Sequence, residues 1–342
     1  VAFVKNSFFI LTVIIMFLIS QSDIAFADEV EFASSPNPVG SGARALGMGG
    51  AFIGVADDAT AASWNPGGLF QVETPEISFV GDWFHRTEDN TFGGHPESNG
   101  PEVVSKEAVN YFSMTYPFRR FDRTMVVSLN YQHLYDFTRE WNYSYNQQGD
   151  NFTSNKNIHA NQSGSLSTIG LAYCVQMSQS LSLGFTLNLW DDSFGNKWEK
   201  DYRYESIETT KRESYPDIDI DKERVEIDQF SFSGFNANIG MMWRTGKIDV
   251  GLVLKLPCKG NLKHDYRYKT IETVNDDKSE TFCDWGENDE KLTLPMSYGM
   301  GLAYRFSNDC TIAADIYRIE WQDFVRTEQG EDISLLTGMD AR

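Results

Sequence analysis

The feature that most restricts this chain is an alternation with period two, sustained over runs of about ten residues. Leu294, Met296, Tyr298, Met300, Leu302, Tyr304 and Phe306 alternate with Ser297, Gly299, Gly301 and Ala303, and Arg305 falls on that second face. Leu181, Leu183, Phe185, Leu187 and Leu189 alternate in the same way with Ser182, Gly184, Thr186 and Asn188. Ile248, Val250, Leu252, Leu254 and Leu256 form a third such row. Successive side chains of a strand point to opposite faces, so each run builds a strand with one greasy face and one face of small residues. About ten residues is also the length that a tilted strand needs to cross a bilayer.

The connections carry as much information as the strands. Short turns near residues 118–123, 177–180, 244–247 and 307–309 alternate with long polar segments near 138–163, 191–229 and 258–292. Short turns on one side and long loops on the other is the pattern of a bacterial outer-membrane barrel, and a soluble sandwich has no reason to segregate its loops so. Trp83, Trp190 and Trp321 fall at loop-side strand ends and Trp243 at a turn-side end, where amphipathic rings favour the membrane interface. The strands expected are 76–84, 109–117, 124–137, 165–176, 181–190, 230–243, 248–256, 293–306 and 310–321. Single-chain bacterial barrels have even strand numbers, and residues 339–342 lack an aromatic-ended strand, so a C-terminal truncation is expected. The stretches 201–209 and 265–273 echo each other as Asp-Tyr-Arg-Tyr followed by Ile-Glu-Thr, which predicts hairpin extensions beyond the membrane.

Charge and cysteines narrow the function. Of the 342 residues, 49 are acidic and 29 basic, giving a formal charge of −20, so a nucleic-acid partner is excluded. Lys5, an apolar run at 8–19 and the small residues Ala25 and Ala27 read as a secretory signal peptide over 1–27. The first residue is Val1, as expected of an alternative start codon or an incomplete record. Cys174, Cys258, Cys283 and Cys310 show no C-x-x-C spacing. Cys258 and Cys283 stand near the two ends of one expected loop, which predicts either a disulfide there, allowed in an oxidising periplasm, or unpaired small hydrophobes.

Residues 28–74 do not alternate. They carry Gly40, Gly42, Gly47, Gly49 and Gly50, then Ala56-Asp57-Asp58-Ala59 and Asn65-Pro66-Gly67. Asp57 or Asp58 is placed to cap a short helix that Pro66 ends. In these residues, and in the stretch 294–324, the chain resembles the outer-membrane long-chain fatty acid and hydrocarbon transporters of the FadL/TodX family. The resemblance implies an antiparallel transmembrane β-barrel of fourteen strands, about five of them absent here, with 28–74 as an N-terminal plug, or hatch, containing short helices, and 75–342 as the barrel. It implies passive uptake of long-chain fatty acids or other hydrophobic small molecules, with lateral release at a kinked third strand. Gly47, Gly49, Gly50, Asp57, Asp58, Asn65, Pro66 and Gly67 would then form the hatch or gate. Gly67 replaces the family's alanine and adds backbone freedom. Phe32, Met48, Phe52, Trp64 and Phe70 are candidates for ligand-binding surface, with packing between hatch and wall the commoner role for any one of them. Further expected partners are outer-membrane lipid, lipopolysaccharide and the barrel-assembly machinery.

No catalytic constellation accompanies this pattern. The glycine run fails the G-x-G-x-x-G spacing, no G-x-S-x-G elbow occurs, and His85, His95, His133, His159 and His264 are too dispersed for zinc. Asp217, Asp219 and Asp221 alternate, but Lys222 stands where a calcium loop needs glycine. A protein without enzymatic step, cofactor or metal is therefore expected. Two functional classes remain: a passive hydrophobic transporter, or a non-transport relative serving as a structural or secretion-associated platform.

Overall fold

The computed structural model of the chain describes residues 37–38, 40–91, 96–149, 152–192, 197–210, 218–275, 278–307, 310–328 and 330–336. The expected signal peptide and Phe32 lie outside them. Within them the chain is all-β, one antiparallel sheet of 17 strands with a few short helices. A two-residue strand, β1 (Asn37–Pro38), pairs with Tyr135 and Asp136.

Nine strands form the main part of the sheet. They are β2 (Glu76–Asn90), β3 (Gly100–Arg120), β4 (Arg123–Asp136), β7 (Ser165–Gln176), β8 (Leu181–Asp191), β10 (Ile218–Thr245), β11 (Ile248–Lys255), β14 (Ser297–Ser307) and β15 (Cys310–Ile319). Each pairs antiparallel with the next in that order. The alternation is obeyed: Tyr298, Met300, Leu302, Tyr304 and Phe306 are exposed, while Gly301 and Ala303 are buried on the other face. Leu183, Phe185, Leu187 and Leu189 are likewise exposed, and Ser182, Gly184, Thr186 and Asn188 buried. A continuous outward surface of this kind is what a lipid-facing sheet presents.

The segments expected as long polar loops are themselves strands. A second leaf runs β5 (Arg139–Gln148), β6 (Phe152–Ser163), β9 (Trp198–Thr210), the first half of β10, β12 (Cys258–Val274), β13 (Lys278–Leu294), β16 (Val325–Glu328) and β17 (Glu331–Ser334). The spine of both leaves is β10. Its 28 residues pair with β9 and β12 in their first half, and with β8 and β11 in their second. The echoed stretches flank it as neighbours, Tyr202 and Tyr268 both standing opposite Glu226. The leaves part at Pro257 and Pro295, which have no N–H for the ladder, so β14 begins at Ser297 and not at 293.

Three bulges interrupt the ladders of the main leaf, one of them beside the β14–β15 turn, where Arg305 faces Thr311 and Ser307 faces Cys310. In the β2–β3 pair, Val80 faces Tyr111 while Gly81 faces Val109, so Asn110 is the extra residue. In the β4–β7 pair, His133 faces Ser167 and Tyr135 faces Leu166, leaving Leu134 extra. The third expected strand thus bends without a glycine.

Candidate functional site

Residues 40–72 lie against the small-residue face of the main leaf, and the sequence explains how they come so close. Gly184 of β8 stands opposite Gly240 of β10, and Gly251 of β11 opposite Gly301 of β14. A Cβ on any of these four would overlap Pro66, Asn65, Ile53 or Gly54 in turn. They make a bare belt on which backbone rests directly on backbone.

Asn65 fastens that contact. It is fully buried, its Nδ2 donates to the carbonyls of Ile53 (2.9 Å) and Met241 (3.0 Å), and its Oδ1 accepts from Gly67 N (3.1 Å). The neighbouring strands supply further partners. Ser182 Oγ donates to Gly67 O (2.6 Å), Thr186 Oγ1 to Ala62 O (2.7 Å) and Tyr111 Oη to Ala59 O (2.7 Å). The bulged Asn110 accepts from Gly42 N (2.9 Å) and donates to Gly40 O (3.0 Å), while Asp315 accepts from Ile53 N (2.7 Å). Buried polar groups that are satisfied in this way fix a segment in one register.

Gly47 closes helix α1 (Ala43–Gly47), and Gly49 and Gly50 take the left-handed backbone, with φ of 67° and 79°, that turns the chain back. Asp57 pairs with Arg44, and Asp58 accepts from Thr60 N (2.8 Å) just ahead of helix α2 (Ala61–Trp64). Pro66 opens a single 3₁₀ stretch, Pro66–Gln71. Phe52 is fully buried edge-on to Trp64 at 6.1 Å, and Met48, Trp64 and Phe70 pack against the same cluster, which includes Val126, Ala172 and Ala303 of the sheet. At the short-turn end, buried Asp249 bridges Arg244 Nε (3.0 Å) and Arg305 (2.5 Å), and Arg244 lies over the Phe70 ring.

A second apolar cluster fills the junction of the two leaves, and nothing in the sequence reading anticipated it. The rings of Phe137, Trp198, Phe230 and His264 stack in succession at 4.4, 4.1 and 4.4 Å. Trp190 is buried in this cluster with its Nε1 donating to Asn236 (3.0 Å), so it does not belong to an interfacial girdle, whereas Trp83 and Trp243 are exposed. Its face of β8 is the inner one, because it follows Asn188 by two residues. His264 bonds Asp228 (2.7 Å) and Glu290 (3.0 Å), and Arg326 of β16 reaches Glu290 at 3.2 Å, pinning the β16–β17 hairpin over the cluster. Burial opposes a charge on this imidazole, yet the two carboxylates outweigh it and raise His264 to about 9. These partners sit on four different strands, so only the alternation within each strand was visible.

The expected Cys258–Cys283 disulfide is corrected by register. Cys258 faces Leu294 and Cys283 faces Lys269, eleven ladder steps along the same hairpin, and both are free. At roughly 3.3 Å per residue they stand far beyond the ~7 Å limit for bridged Cα atoms. Among the described residues no group of His, Cys, Asp and Glu is arranged to hold a metal ion.

Comparison with known proteins overturns the resemblance to the FadL/TodX transporters. A family model described as BamG, a different family, matches residues 94–335. No curated protein and no solved structure matches the chain. With the resemblance fall the readings it carried: uptake of long-chain fatty acids or other hydrophobic compounds, and such a molecule as partner. Asn65, Pro66 and Gly67, which suggested it, contact the chain's own sheet, a placement that any segment packed on a small-residue face shares and that singles out no one family. The match spans most of both leaves, from before β3 to the end of β17, and places the protein in the bacterial outer membrane. On a match of that extent, well over half of its length, the chain belongs to the BamG family.

Proposed function

We propose that this protein is a non-enzymatic component of outer-membrane protein assembly, a platform that works with the barrel-assembly machinery. The observation that carries the reading is the family match over residues 94–335. Two features of the molecule agree with it. The small-residue face is occupied by residues 40–72, and the junction of the two leaves is packed with aromatic side chains, an arrangement that suits a fixed platform. The outward face of the main leaf is apolar over its length, which suits a chain set in lipid beside another barrel.

In this reading the main leaf belongs to a closed barrel, residues 28–74 are its hatch and the barrel runs from 75 onward. A sheet this wide and apolar on one face has its edges removed by closure. The hatch residues Asn65, Pro66 and Gly67 hold a fixed seal and do not gate a passage.

The test is affinity purification of the tagged full-length gene product from its own host's outer membrane. The central barrel-assembly protein is expected to co-purify, and depletion of the gene is expected to lower the amounts of other outer-membrane barrels. Neither outcome occurring, with the tagged protein correctly inserted, sinks the reading.

A further inference from the structure

Where the tip of the β2–β3 hairpin meets β5, the second leaf holds a cleft of about 550 Å³. Small-molecule sites occupy roughly 300–1,000 Å³. The cleft stands at the long-strand end, which faces outward from the cell in outer-membrane barrels. Its wall is held by two contacts between elements: Asn142 N donates to Glu102 Oε1 (3.0 Å), and Ser98 Oγ donates to Ser144 O (2.6 Å).

The chemistry of the lining is specific. Four of its residues are asparagines, Asn90, Asn99, Asn142 and Asn157. A primary amide offers donor and acceptor side by side, and a pair of neighbouring sugar hydroxyls offers the same in return. Cross-strand pairing sets these groups in two rows, Asn142 beside His159 and Arg203, and Asn157 beside Ser144 and Glu205. Asn142 Oδ1 already meets His159 Nδ1 and its Nδ2 donates to Glu140 (3.2 Å), which leaves one lone pair and one N–H of that amide for a ligand. The alternatives fit less well. An acyl chain needs a long apolar slot, whereas these walls are amides, hydroxyls and carboxylates. A phosphate needs unspent cations, whereas Arg203 is the one arginine here and already holds Asp201 at 3.1 and 3.2 Å.

We propose that this cleft binds a neutral oligosaccharide at the cell surface. The proposal needs only the outer-membrane setting and is independent of the assembly reading. The chemistry is shared by two sources, the bacterium's own lipopolysaccharide and polysaccharides met from outside.

The experiment is calorimetric titration of the full chain in detergent with two probes. One is oligosaccharide released by mild acid from the host's own outer membranes, and the other is a mixture of malto- and manno-oligosaccharides. Saturable binding of either probe supports the site and tells the sources apart. Asn142→Ala and Asn157→Ala are expected to weaken it about tenfold each, equivalent to about 1.4 kcal/mol. Both side chains are exposed, so folding is not at stake, and unchanged heat-modifiability on gels verifies that. Absence of saturable binding with both probes, or binding indifferent to both substitutions, overturns the inference. Either failure leaves co-purification with the assembly machinery, and so the proposed function, untouched.

Discussion

Asn65 and Gly240 meet without a side chain between them: the amide of Asn65 fills the space that a Cβ at position 240 would take, and reaches past it to Met241 O. The fit has a consequence in both directions. Gly240→Leu forces residues 65–67 off the belt and is expected to cost about 3 kcal/mol, the upper range for overpacking. Asn65→Ala leaves the carbonyl of Ile53 without this donor and is expected to cost roughly 1–3 kcal/mol. Thermal unfolding followed by heat-modifiability on gels gives the ranking, with both variants below the parent.

At the other end of the same face, Asp249 holds two arginines. Its carboxylate is buried while Arg244 and Arg305 are partly open to solvent, so water screens part of the loss when it is removed. Asp249→Ala is expected to lower stability by about 1–3 kcal/mol and to free Arg244 from its seat on the Phe70 ring. Trypsin cleavage after Arg244, mapped by mass spectrometry, is expected to rise in the variant and stay low in the parent.

The nine main strands were legible because each obeys a local rule, the alternation of large and small residues along one strand. Their ends were less so: β14 starts four residues late because Pro295 breaks the ladder, and β10 runs back to Ile218 because its polar first half pairs on both sides. That polar segment looked like a loop because both faces of a strand outside the membrane meet water, so the greasy face disappears. What could not be read is what depends on register between distant strands. The bulge at Asn110, the glycine belt under Asn65 and the ring stack through Phe230 each join residues from three or more elements. The hatch motif misled for the same reason, since glycines and Asn-Pro report a tight turn against a wall without reporting which barrel the wall belongs to.

Cysteine chemistry separates the register from a bridge directly. Cys283 is exposed on β13, whereas Cys258 and Cys174 are buried, and burial pushes the Cys258 thiol up to about 11. A thiol held that far above neutral pH carries little thiolate and reacts slowly. A maleimide reagent at pH 7 is expected to label Cys283 and Cys310 in the folded protein and all four cysteines after unfolding. Reduction is expected to leave gel mobility unchanged, and a mobility shift assigned to Cys258 and Cys283 contradicts the ladder.

The His264 cluster makes the hairpin above it sensitive to pH in one direction. The groups facing the imidazole are Asp228, Glu290 and, through Glu290, Arg326, with Lys200 over the adjoining rings of Trp198 and Phe230. In an unfolded chain histidine titrates near ~6.5, and here it is raised to about 9, so the folded state favours the protonated form. The stabilisation is therefore complete below about 6.5 and is lost as pH rises through about 9. Amide exchange at residues 325–334 is expected to accelerate between these limits, beyond the intrinsic effect of base, as the bonds to Asp228 and Glu290 weaken. His264→Gln keeps a donor but no charge, so it is expected to exchange faster at pH 6 and to lose the excess pH dependence. A variant that retains the parent's profile would place the titrating group elsewhere, with Lys200, lowered to about 8 by its burial, as the next one facing the stack.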